Sequence, residues 1–269
     1  SMNPVHTPHS PESRRRRRGT VLVGALAALL LAGCASVAQP DPHDPWESYN
    51  RSMTRFNDAV DEAVLKPVAT AYKTVLPQTA RTGVGNFFGN LGDVWSFVNN
   101  VLQAKPEGAL HSFWRVVINT TVGIGGVFDP ASEMHLVRHR EDFGQTLGRW
   151  GAPPGPYVVL PLLGSSTLRD TVALPVDYYG QPLGHVHDIP VRNSLTAVQA
   201  VDTRSRLLGV TDVLEEAALD RYTFQRDAYL AKRRNDVYDG NPPPEPDPAD
   251  EAPAEPADNA ASAPAKAKP

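Results

Sequence analysis

From Pro77 to Leu102 the apolar residues Val84, Phe87, Phe88, Leu91, Val94, Trp95, Val98, Val101 and Leu102 recur mostly in steps of three and four. That is the period of a helix face, and prolines cut the same pattern into pieces elsewhere. Pro45, Pro67 and Pro106 each stand where a helical run begins, a position that does not need their missing N–H. The spacing predicts helices from Trp46 to about Val60 with Asp44 as N-cap, from Pro67 to Leu76, from Pro77 to Leu102, and from Pro106 to about Thr121. The last is apolar around much of its circumference, which places it in a core or a lipid-facing shell. It is too short to cross a bilayer upright. Asp142–Trp150, Thr167–Tyr179, Pro190–Leu208 and Thr211–Tyr238 read as further helical segments. Gly155–Gly164 (GPYVVLPLLG) reads as a short strand or a hairpin loop that exposes apolar groups. Gly83, Gly85, Gly89 and Gly92 predict either a bend or the close approach of another helix. No repeat and no alternating strand–helix pattern occurs, so the expectation is an all-α domain.

Residues 1–33 have the layout of an export signal: Arg14–Arg18, then the twelve apolar residues Val21–Ala32. Such a stretch is too short for a stable membrane span. It ends in Leu31-Ala32-Gly33-Cys34, which resembles a lipobox, and Cys34 is the chain's single cysteine. A disulfide within the chain is therefore impossible, while a thiol stands where lipidation requires one. Several acyl chains would anchor the protein stably. Ala35 follows the Cys in place of Asp, which points to the outer membrane. Residues 34–45 form a polar tether and 46–240 a helical domain. Residues 241–269 are expected to be a disordered tail, with nine prolines and six acids against two lysines. The net charge of −4 argues against nonspecific nucleic-acid binding.

Sites for covalent chemistry are poorly supported. There is no G-x-S-x-G elbow and no phosphate-binding loop. Gly83-Val84-Gly85 lacks a third glycine at the dinucleotide spacing. Ser166, Asp170 and His185 or His187 follow hydrolase order without the elbow that would activate the serine. His135 and His139 stand four apart, but Arg138 and Arg140 would repel a metal ion there. His185 and His187 lack an identifiable third ligand. No cofactor, metal or catalytic residue is expected.

A run of residues does carry a resemblance. It begins with Asp44-Pro45-Trp46-Glu47, Asn50-Arg51, Phe56 and Asn57, and continues through Phe87, Asn90-Leu91, Asn99 and Leu102-Gln103. Arg115, Asn119-Thr120-Thr121, Gly123, Gly126 and Asp129 follow. The most specific stretch is Glu141-Asp142-Phe143-Gly144-Gln145-Thr146-Leu147-Gly148, then Gly151, Gly155-Pro156-Tyr157, Leu160-Pro161, Gly164 and Thr167-Leu168-Arg169-Asp170. In this order, over about residues 44–235, the chain resembles the MlaA (VacJ) family of outer-membrane lipoproteins. Ser165 stands where many members have Pro.

The resemblance implies a flat helical ring in the membrane plane with a central amphipathic channel. It implies a nonenzymatic lipoprotein, lipid-anchored on the periplasmic side of the outer membrane, that removes mislocalised phospholipid from the outer leaflet. The lipid would pass to a soluble periplasmic carrier, and a trimeric porin would hold the ring. Val158, Val159, Leu160, Leu162 and Leu163 are expected to face lipid or line the channel mouth. The competing reading is a structural or adaptor lipoprotein that binds a porin without moving lipid.

Overall fold

A computed structural model describes residues 41–217 and 220–244. Cys34, the signal-like segment and the tail from residue 245 lie outside the described residues. α1 (Glu47–Val60) continues through a π-helical turn, Asp61–Leu65, directly into α2 (Lys66–Val75). The expected break before Pro67 is absent. In a regular α-helix the ring of Pro67 would collide with the carbonyl four residues earlier; the wider π turn accommodates it, with the amide of Lys66 bonding to the Asp61 carbonyl. Nor does Asp44 cap α1. Its N-cap is Trp46, and the buried Asp44 carboxylate instead accepts from Asn50 Nδ2 at 2.8 Å and from the Tyr222 hydroxyl.

α3 (Gln78–Leu102) stays helical across its four glycines and packs along α4 (Pro106–Thr121). A tight turn follows, with Ile124, Gly125 and Gly126 in the left-handed region. Gly126 lies against Asn90, where a Cβ would come within 2.6 Å of the Asn90 side chain. α5 (Pro130–Glu133) and α6 (Phe143–Arg149) are short and carry carboxylate N-caps, Asp129 and Asp142. β1 (Tyr157–Leu160) and β2 (Gly164–Thr167) pair antiparallel, Tyr157 opposite Thr167 and Leu160 opposite Gly164. This hairpin is the only sheet among the described residues, so the architecture is helical as expected. α7 (Leu168–Gly180) and a 3₁₀ turn at Pro182–His185 lead to α8 (Ile189–Ala217) and α9 (Arg221–Val237). The expected boundary near Gly209 is wrong. α8 runs through that glycine, and the real start signal is Asp220, whose carboxylate accepts from the amides of Tyr222 and Thr223. No helix among the described residues is long and apolar enough to cross a membrane.

The two halves of the chain are registered by two asparagines. Asn50 Nδ2 donates to the Tyr157 carbonyl at 3.0 Å while its Oδ1 accepts from the Val159 amide at 2.8 Å. Two turns on, Asn57 does the same with the Leu160 carbonyl at 2.9 Å and the Leu162 amide at 2.7 Å. Seven residues of helix rise about 10.5 Å, and three residues of strand advance about 10 Å. The side-chain amides therefore act as a neighbouring strand and satisfy the open edge of β1.

Candidate functional site

The distribution of polarity is inverted relative to an ordinary globular protein. Among the described residues the buried set holds 21 polar or charged side chains and ten apolar ones. α4 shows the inversion on a single helix: it buries Ser112, Arg115 and Asn119, and exposes Leu110, Phe113 and Trp114. α3 buries Asn90, Asp93, Ser96, Asn99 and Asn100. Val122, Ile124, Val127 and Phe128 continue the exposed apolar surface beyond α4. Buried polar groups are tolerable only when hydrogen-bonded, and most of these are.

Arg115, 1 % exposed, is the centre of one network. Its Nε donates to Asp93 at 3.2 Å and its Nη2 to both oxygens of Asp129 at 2.8 Å. Nη1 donates to Ser132 Oγ at 3.1 Å and to the Leu136 carbonyl at 2.6 Å. Asn119 adds a bond to Asp129 at 2.9 Å, and Arg138 meets Asp93 at 3.1 Å. Burial pushes the Asp129 carboxyl up, but the donors Ser132, Asn119 and Arg115 outweigh it and hold the group at about 2. Burial raises the Asp93 carboxyl against the pull of Arg138 and Arg115. Because Asp129 titrates lower folded than unfolded, its stabilisation is present above the ordinary carboxylate range and is lost as pH falls toward 2. The expected loss between pH 5 and pH 2 is roughly 2 kcal/mol, read as a falling thermal midpoint. Asp129→Asn should be less stable at neutral pH and lose that part of the acid dependence; an unchanged acid profile would contradict the assignment.

A second network joins α3 to α6. Thr146 Oγ1 donates to Asn99 Oδ1 at 2.7 Å, and Gln103 Nε2 donates to Glu141 at 2.9 Å and to Thr146 at 3.1 Å. A third ties α6, α7 and α9 through Arg233, which meets Asp142 at 2.7 Å and Asp170 at 2.9 Å. Arg169 meets Asp170 at 2.9 Å. Gly144 and Gly148 leave room for these groups: a Cβ would come within 2.5 Å of Asp170 and 2.7 Å of Arg169 respectively.

Between α3, residues 138–142, α8 and α9 lies an open cavity of about 740 Å³, within the size range that encloses small organic ligands. One wall is the glycine face of α3. The Arg206 guanidinium lies over Gly85 and that of Arg138 over Gly89, so close that a Cβ would come within 1.4 and 2.5 Å of them. Gly92 faces open space, with nothing within 4 Å of a Cβ. Phe88 and Trp95 contribute apolar area to the same wall. Charged lining residues are largely paired with one another: Arg206 with Asp202 at 2.9 Å, Lys232 with Asp236, and Arg233 with Asp142.

The Gly155–Gly164 segment divides by side. Tyr157 and Val159 are each 1 % exposed and pack with Tyr222, whereas Leu162 and Leu163 are about two-thirds exposed. Val159 therefore meets neither lipid nor the cavity; strand alternation turns it inward. Val158 and Leu160 are half-buried. Of the remaining family positions, Trp46 and Phe56 are exposed. Arg51 bonds Glu47 and Asp220 and lies over the Tyr222 ring at 4.4 Å. Phe143 packs edge-on against Trp150. The Pro156 carbonyl accepts from the Leu168 amide, Pro161 is exposed at the hairpin tip, and Gly123 and Gly126 shape the turn after α4. The serine–histidine arrangement does not assemble. Ser166 meets Thr171 at 2.9 Å, Asp170 is held by arginines, and His185 is exposed on a backbone carbonyl. His139 pairs with His111 at 3.1 Å and not with His135. Sequence reasoning missed Asp93 and its pairing with Arg138. The available signal was the polar series Asn86, Asn90, Asp93, Ser96, Asn100 and Gln103, which keeps helical spacing beside the apolar one.

Comparison with known proteins converges on one family. The MlaA lipoprotein family model matches residues 42–236. An Escherichia coli protein named intermembrane phospholipid transport system lipoprotein MlaA is 36 % identical, covering 77 % of this chain and 84 % of its own length. A Haemophilus influenzae protein of the same name is 33 % identical over 82 % of this chain and 91 % of its own. A solved structure, described as the structural basis for maintenance of bacterial outer membrane lipid asymmetry, superposes with a TM-score of 0.65. It is 34 % identical and covers 74 % of this chain and 99 % of its own.

Proposed function

The chain belongs to the MlaA lipoprotein family, and from that premise we propose that it is an outer-membrane phospholipid transport component that passes lipid through its cavity. The observation that carries this reading is the inversion of polarity: apolar side chains outside, paired charges inside. Exposed apolar area on this scale marks a lipid or protein interaction surface. Helices with one apolar face and too short to span lie in the interface plane. A ring lying in the membrane would therefore meet acyl chains with Leu110, Phe113, Trp114, Leu162 and Leu163. Its mixed inner wall would offer an amphipathic path, the polar groups meeting the headgroup and Phe88 and Trp95 the chains.

Lipidated Cys34 would hold the ring to the membrane. The tether reaches the fold at Asp44, ten residues later, a span of at most about 35 Å. Moving a lipid between leaflet and carrier makes and breaks no covalent bond, so no catalytic residue is required. A trimeric porin would seat the ring, and a soluble periplasmic carrier would take the lipid onward.

The test is a deletion strain assayed for phospholipid in the outer leaflet. Deletion should raise it and the full chain should restore it, whereas Cys34→Ala should remain uncleaved and fail to restore it. Unchanged outer-leaflet phospholipid on deletion, with porin assembly disturbed, would favour an adaptor role and contradict the proposal.

A further inference from the structure

The charges lining the cavity do not all cancel in the same way. Asp93 is matched by Arg115 and Arg138, Asp142 by Arg233, Asp202 by Arg206 and Asp236 by Lys232. Glu141 and Asp239 share Lys105 at 3.1 and 2.7 Å. Arg140 also lines the cavity. Its side chain is exposed and, among the described residues, is the one lining Lys or Arg side chain with no hydrogen bond or ion pair. Its backbone is fixed, because the Arg140 carbonyl accepts from Gln145 Nε2 at 3.1 Å. The adjacent His139 ring is drawn down by burial and by neighbouring His111, so at neutral pH it adds no competing charge.

We infer that Arg140 takes the phosphodiester of a lipid headgroup inside the cavity, an assignment that rests on the lipid-passage reading above. A phosphodiester carries one negative charge and two free oxygens, which a guanidinium meets with two parallel N–H donors. Arg206, Lys232 and Arg233 would have to break an ion pair first, and Nη2 of Arg138, which makes no hydrogen bond, is buried. Arg140 has nothing to give up, and lysine at this position would supply only a point charge.

The test uses the purified full chain in maltoside detergent, titrated with dihexanoyl phosphatidylethanolamine and, separately, with dihexanoylglycerol, which lacks the phosphate. Arg140→Gln should weaken phospholipid binding about tenfold, the equivalent of about 1.4 kcal/mol. Arg140→Lys should lose less, and neither variant should change dihexanoylglycerol binding or the melting temperature. Equal phospholipid affinity in Arg140→Gln and the unaltered protein would overturn the assignment, as would an equal loss for the phosphate-free lipid. Displacement of the phospholipid by inorganic phosphate at a similar concentration would also overturn it, since the site would then be one for free phosphate. If the unaltered protein binds neither lipid, the passage reading fails as well, a result distinct from the failure of Arg140 alone.

Discussion

Arg115→Met should destabilise the protein by about 3–5 kcal/mol, the cost of removing one partner from a buried ion pair. Asp93, 2 % exposed, would keep only Arg138, and Asp129 would lose its bidentate partner. Whole domains are stable by only about 5–15 kcal/mol, so the variant should be scarce in cells and melt far below the parent. Arg115→Lys should recover little, because three donors on one nitrogen cannot reach two carboxylates, Ser132 and the Leu136 carbonyl together. Arg149→Ala, at a side chain that is exposed and has no partner among the described residues, should stay within about 0.5 kcal/mol of the parent. Denaturant titration decides; an Arg115→Met protein within 1 kcal/mol of the parent would show that the network is dispensable.

That result bears on how the fold is specified. An ordinary core is set by apolar shape. Here the segments from 90 to 146 are fixed relative to one another mainly by hydrogen bonds and ion pairs, which demand particular partners. The exposed apolar shell contributes little to such specificity, and in the proposed function it is the part that meets lipid.

Much of the helical layout was legible because its signals are local. Pro106 opens α4 as the spacing predicts, and Asp142 caps α6 where the sequence places a helical turn. The errors share a cause: a local breaker was overruled by something distant or subtle. Pro67 is accommodated by a π turn that no sequence period announces. Gly85 and Gly89 make room for arginines from residues 206 and 138, and α3 remains helical. Gly209 lies within α8, while Asp220, one acid in a charged stretch, proved to be the cap. Along the sequence, Arg138 and Arg140 show only as charges that would repel a metal ion beside His135 and His139. Arg138 packs on α3 instead, and the cavity beside it is made by helices more than 40 residues away in either direction. Pairing of that kind is a property of tertiary structure, and spacing along one segment cannot reveal it. The family positions Asn50, Asn57, Arg115 and Asp129 were named without a role; the structure supplies one, as ties between segments.

The second large effect is expected at Gly92. It faces the cavity, and a Cβ there would meet nothing within 4 Å. A side chain at this position therefore starts in open space, and a tryptophan is expected to place its bulk in the cavity. Gly92→Ala should add up to about 1 kcal/mol of helix stability and leave the passage open. Both variants should fold, so a functional difference between them reports on the cavity. The most direct measurement is outer-leaflet phospholipid in a deletion strain that expresses each variant at equal abundance. The proposed passage requires Gly92→Ala to restore the parental level and Gly92→Trp to leave phospholipid as high as in the deletion; full restoration by Gly92→Trp would mean that lipid does not travel through this cavity.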